Sequence, residues 1–138
     1  MSREVTVGDQ LPAISLGLTS QRLTMIAAAN RDFAPVHTNT EIAQSTGADD
    51  AYGNLMFVMA MMEHTLTAWA GPGSRLRELR SMRMSAFNRL GDTVSCRAVI
   101  TGVHSGGGRV DLDVWLETSD DRRTATAQAV IDLPAQVG

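Results

Sequence analysis

The hydrophobic period changes in the middle of this chain, and that change restricts the fold more than any other feature. From residue 53 to residue 69 the apolar positions recur at helical intervals. Leu55, Met59, Met62, Leu66 and Trp69 mark one face, and Met56, Phe57, Val58 and Met61 fill much of the remainder. Such a segment predicts a long helix wrapped by other elements, stopped by Gly71 and Pro72. Beyond Pro72 the period falls to two. Met82, Met84 and Ala86, then Val94, Cys96, Ala98 and Ile100, then Val110, Leu112, Val114 and Leu116, then Ala125, Ala127, Ala129 and Ile131 alternate with polar or differently facing neighbours. Four strands with one apolar face each follow from that alternation. Turn-forming clusters separate them at residues 89–92, 104–108 and 119–122.

The first third of the chain supplies shorter elements. Residues 8–12 read as a turn and residues 13–18 as a strand with Ile14, Leu16 and Leu18 on one face. Thr19 or Ser20 can cap a helix over residues 21–29, in which Leu23, Ile26 and Ala27 form the apolar stripe. Pro35 interrupts the pattern by forcing Ala34 toward an extended conformation. A short helix is predicted from Thr38 or Asn39 up to Gly47, followed by an acidic loop over residues 48–51. One long helix preceding four antiparallel strands, with an earlier strand, is an α+β arrangement in which a sheet curls round a helix. At 138 residues, 43% hydrophobic and 20% charged, the chain suits a single domain over residues 1–138.

Composition removes several classes of function. The formal charge of −3 is mild and the basic residues are scattered, so no nucleic-acid partner is expected. All twelve basic residues are arginine, which excludes a Schiff-base or general-base lysine. Cys96 is the only cysteine and lies in an alternating apolar run, so it reads as a core thiol. Residues 1–8 lack a basic region followed by an apolar stretch, and a cytoplasmic protein is the expectation. The apolar run at residues 55–62 ends at Glu63 and His64, short of the roughly 20 residues that cross a bilayer, so no membrane partner is expected. There is no Cys/His ligand cluster and no dinucleotide glycine loop, so neither a metal nor a redox cofactor is implied.

The segment Asn30-Arg31-Asp32-Phe33-Ala34-Pro35-Val36-His37 places an acid and an imidazole five residues apart across a proline-stiffened turn. Both can point into one cleft. A carboxylate and a histidine held together suit addition of water to an α,β-unsaturated thioester, one accepting a proton from water and the other delivering one at the α-carbon. A structural reading stays open beside this one. Asp32 can end the preceding helix or brace the turn, and His37 can cap the next helix, where Thr38 and Asn39 also offer oxygens. His64 sits mid-helix with no partner visible in the sequence and His104 lies in a glycine-rich turn, so both read as structural or solvated.

This segment resembles the signature turn of MaoC-like, R-specific enoyl-CoA hydratases, Gly-Asp-x-Asn-Pro-x-His, which Asp32, Pro35 and His37 match. Tyr52-Gly53-Asn54 stands where that family has His-Gly. Leu90-Gly91-Asp92-Thr93-Val94 is similar to its Pro-Gly-Asp-Thr-Val strand opening, and Val7-Gly8-Asp9-Gln10-Leu11-Pro12 to the start of its domains. The resemblance implies a hot-dog fold, Asp32 and His37 as the catalytic pair, and an acyl-CoA thioester as substrate with no cofactor. It also implies substrate-binding positions at Gly53, Tyr52 and Asn54, with the Gly53 N–H stabilising an enolate oxygen; Met56, in the methionine stripe of the long helix, can line an acyl pocket because a flexible thioether suits a bulky apolar group. The partner it implies is a second hot-dog subunit, in a homodimer or in a heteromer like the actinobacterial hydratases of steroid side chains. Three residues depart from the pattern: Arg31 replaces a glycine, Ala34 replaces the asparagine, and Tyr52 replaces a histidine. A hot-dog thioesterase and a non-catalytic subunit of a hydratase complex are the alternative readings.

Overall fold

The computed structural model describes residues 4–135. Residues 1–3 and 136–138, the two ends of the expected domain and the first part of the polar segment 1–8, lie outside the described residues. The elements run β1 (Ile14–Gly17), α1 (Ser20–Ala29), a 3-10 turn (Pro35–His37), α2 (Thr40–Ser45), α3 (Leu55–Ala70), β2 (Arg75–Met84), β3 (Thr93–Val103), β4 (Arg109–Thr118) and β5 (Arg123–Asp132). One antiparallel sheet has the order β1-β3-β4-β5-β2.

Register explains why the alternation was so regular. Ile14, Cys96, Leu116, Ala125 and Met84 stand opposite one another across all five strands. Cys96, Leu116 and Ala125 in this row are completely buried. With period-two side chains, a slip of one residue would turn every such row toward solvent. α3 packs against β2, β3 and β4, and Met62 and Leu66 on it are fully buried, worth roughly 1.5–3 kcal/mol each.

Two expectations are corrected. α3 is not covered on nearly all sides: Phe57, Val58, Met61, Met62, Thr65 and Leu66 face the sheet, whereas Leu55, Met56 and Met59 are 44%, 46% and 42% exposed. A single sheet covers one flank of a helix, and among the described residues the other flank is left partly open. The strand before Met82 begins earlier, at Arg75. Register shifts between Leu76 and Glu78 and between Arg80 and Arg83, with Ser81 at φ 54°, break its alternation and hide it from a period-two reading.

The caps are close to expectation. Thr19 Oγ1 accepts from Arg22 N at 3.2 Å, and Asn39 Oδ1 accepts from Ile42 N at 3.0 Å. Gly71 closes α3 at φ 90°. Among the described residues no helix is long and apolar enough to cross a membrane.

Candidate active site

The turn after α1 is assembled from backbone contacts. Asp32 N donates to Ala27 O at 2.9 Å, which pins the acid to the end of the helix. Arg31 takes φ 52°, a left-handed conformation that costs an L-residue roughly 1–2 kcal/mol. The glycine of the resembling motif would adopt it freely, so the departure at Arg31 preserves the turn at a cost. Pro35 then opens the 3-10 turn with its φ already set, and His37 ends it, 8% exposed.

This geometry brings the two predicted residues together. His37 Nε2 lies 3.0 Å from Asp32 Oδ2. His37 Nδ1 lies 2.8 Å from the carbonyl oxygen of Tyr52. A carbonyl only accepts, so Nδ1 carries a hydrogen. Nε2 is then the nitrogen left facing the carboxyl oxygen of Asp32. Tyr52 places its ring edge-on to His37, with centroids 5.2 Å apart, and stacks on Phe87 at 3.8 Å. Phe87 also walls a cavity of about 430 Å³ bounded by Ala48, Met84, Arg89 and Arg122.

The structural reading holds in part for Asp32, whose Oδ1 is 3.4 Å from Ala34 N. For His37 it does not, because Asn39 caps α2.

Asn54, expected at the substrate, is the N-cap of α3, with Oδ1 accepting from Phe57 N at 2.9 Å and Nδ2 donating to Asp32 Oδ2 at 3.1 Å. The Asn54 amide is the largest influence on Asp32. With the Ala34 N–H and His37, it holds the carboxyl below the ordinary value against the opposing effect of burial. The pattern Asn before an apolar run is an N-cap signal that places the helix start at Leu55 rather than Gly53.

The expected role of Gly53 is corrected. Its N–H donates to Asn88 O at 2.9 Å, so it is not free for an enolate oxygen. A Cβ on Gly53 would lie 2.7 Å from Cδ1 of Phe57, itself 4% exposed; packing requires the glycine. Met56 sits on the uncovered flank of α3.

The other histidines stand apart from this constellation. His64 is exposed on α3, and His104 pairs with Asp111 at 3.0 Å in the exposed β3–β4 hairpin. Cys96 is fully buried, and burial pushes its thiol up to about 11. Among the described residues no three His, Cys, Asp or Glu side chains converge to hold a metal ion.

No protein-family model matches the chain. In sequence it is 29% identical over 122 residues to the β subunit of 3-oxo-4,17-pregnadiene-20-carboxyl-CoA hydratase of Mycobacterium tuberculosis, covering 88% of this chain and 93% of that one. In structure it superposes on a chain of the ChsH1–ChsH2 complex from Mycobacterium tuberculosis with a TM-score of 0.86 and 24% identity, over 94% of this chain and 99% of that one. The (R)-hydratase from A. caviae involved in PHA biosynthesis superposes with the same TM-score of 0.86 at 21% identity, over 96% of this chain and all of that one. The shared architecture is the hot-dog fold, α+β, with one antiparallel sheet round a central helix.

Proposed function

We propose that this chain is the Asp/His-bearing subunit of a MaoC-like hydratase. It adds water to a trans-2-enoyl-CoA with a bulky, steroid-like acyl group, giving a 3-hydroxyacyl-CoA. The observation that carries this reading is the 3.0 Å contact between Asp32 Oδ2 and His37 Nε2, with the other imidazole nitrogen occupied by Tyr52 O. Hydration transfers one proton from water and delivers one to the α-carbon. A base and an acid held together can do both.

Asp32, kept ionised below its ordinary range, takes the proton as the water oxygen bonds to C3. His37 Nε2–H gives its proton to C2. The direct contact then lets the carboxyl return a proton to the imidazole, and the pair is reset. A positioned acid and base together supply on the order of 10²–10⁴-fold. Charge that builds on the thioester oxygen would meet the first turn of α3, where the helix dipole is positive. There the N–H groups of Leu55 and Met56 have no acceptor among the described residues.

The similarity to a hydratase β subunit supports the activity and the acyl class. The uncovered flank of α3, with Phe33 76% exposed on the catalytic turn, supports a second hot-dog subunit completing the site.

The test is to incubate trans-2-enoyl-CoA thioesters with the chain alone and with a co-purified hot-dog partner, following enoyl absorbance and free thiol together. Loss of absorbance without thiol is the expected result. Thiol release would identify a thioesterase, and absorbance loss with the partner that is unchanged in Asp32→Ala would identify a non-catalytic subunit.

A further inference from the structure

Asn54 is 5% exposed, and both ends of its amide are engaged. Oδ1 accepts from Phe57 N at 2.9 Å and faces Asn30 Nδ2 at 3.4 Å, while Nδ2 donates to Asp32 Oδ2 at 3.1 Å. The amide has only one workable orientation. Turned over, its NH2 would confront the Phe57 N–H and the Asn30 amide, donor against donor, and its oxygen would confront a carboxylate. The requirement of α3 for an N-cap acceptor therefore aims the NH2 group at Asp32.

We infer that Asn54 is a positioning residue for Asp32. The start of the central helix locks the Asn54 amide, and the amide locks the carboxylate oxygen that faces His37. Asn54 thereby supplies, from a different element, an amide to the turn where Ala34 stands in place of the motif's asparagine. Asp32 Oδ2 receives Asn54 Nδ2 and His37 Nε2 from two sides, while among the described residues Oδ1 has the long Ala34 contact alone. Without Asn54 the carboxyl is free to rotate about χ2 and loses its strongest anion-stabilising donor.

Serine separates the two tasks, because it is an equally good N-cap but has no NH2 to reach Asp32. The inference rests on the hydratase reading only where turnover is measured, so the test has a second readout. Asn54→Ser is expected to unfold at the wild-type temperature and to titrate the Asp32 carboxyl at higher pH, observed by carboxyl-carbon NMR. In turnover, its kcat falls about tenfold or more with little change in KM, and the acidic limb of its pH profile moves upward. Asn54→Asp, which keeps the cap but opposes two carboxylates, shifts the titration further in the same direction. An Asp32 titration unchanged in Asn54→Ser overturns the inference whether or not the protein turns over an enoyl-CoA. A wild type that fails to hydrate while the titration shifts as expected would count against the hydratase reading alone.

Discussion

The carbonyl oxygen of Tyr52 accepts the Nδ1 hydrogen of His37 at 2.8 Å, so the loop that leads into α3 determines which imidazole nitrogen faces Asp32. The same residue braces the ring edge-on and is itself held by Phe87. None of these contacts uses the phenol oxygen. Tyr52→Phe is therefore expected to keep kcat within about threefold, whereas Tyr52→Ala removes both aromatic contacts, at roughly 0.5–1.5 kcal/mol each beyond the lost burial. Thermal unfolding and steady-state kinetics on the two variants check this. A large loss in Tyr52→Phe would show that the hydroxyl acts directly.

Gly53 is predicted to be intolerant for a packing reason. A methyl group there meets the buried Phe57 ring at 2.7 Å, and overpacking of this kind costs roughly 1–3 kcal/mol. Gly53→Ala should lower the unfolding free energy measured by urea titration by that amount, and adding Phe57→Leu should recover part of it. Equal loss with and without the second change would place the cause elsewhere.

The sheet and the turn that brings Asp32 to His37 were readable in the sequence because their determinants are local. Alternation places Val94, Cys96, Ala98 and Ile100 inward, and Pro35 between Asp32 and His37 marks a turn that folds acid onto imidazole. The start of β2 was hidden by two register shifts. The buried face of α3 was misread because apolar residues surround the helix, and periodicity cannot choose a side when nearly every side is apolar. The partners of Gly53 and of His37, Asn88 O and Tyr52 O, are backbone atoms brought in by the fold, and a carbonyl leaves no mark in a sequence.

Asp132 gives a pH signature separate from the active site. Arg109 Nε at 2.6 Å and Arg77 Nε at 2.5 Å lower its carboxyl to about 2. Because the folded value lies below the unfolded value of about 3.9, the stabilisation is full above that pH and disappears as the pH falls toward about 2. Asp132→Asn should be less stable than wild type at pH 7, with the difference closing between about pH 4 and pH 2. Denaturation midpoints measured across that range check it; a gap that is constant with pH would contradict it.

Met56 and Met59 tie the uncovered flank to assembly. Both are more than two-fifths exposed, so changing them to serine should alter the stability of the isolated chain by no more than about 0.5 kcal/mol. Association with a second hot-dog subunit, measured by analytical ultracentrifugation, should weaken at least tenfold. Unchanged association would place the interface on another surface.

The proposed hydration needs both members of the Asp32–His37 pair, one to take a proton from water and the other to deliver one to C2. The most direct measurement is the rate of enoyl-CoA absorbance loss for wild type, Asp32→Asn and His37→Gln, each supplied with the same partner subunit and each verified as folded by thermal unfolding. A fall of about 10²–10⁴-fold in kcat is expected for both variants, with no thiol released by any protein. Wild-type rates in either folded variant would contradict it and assign the chemistry to another chain.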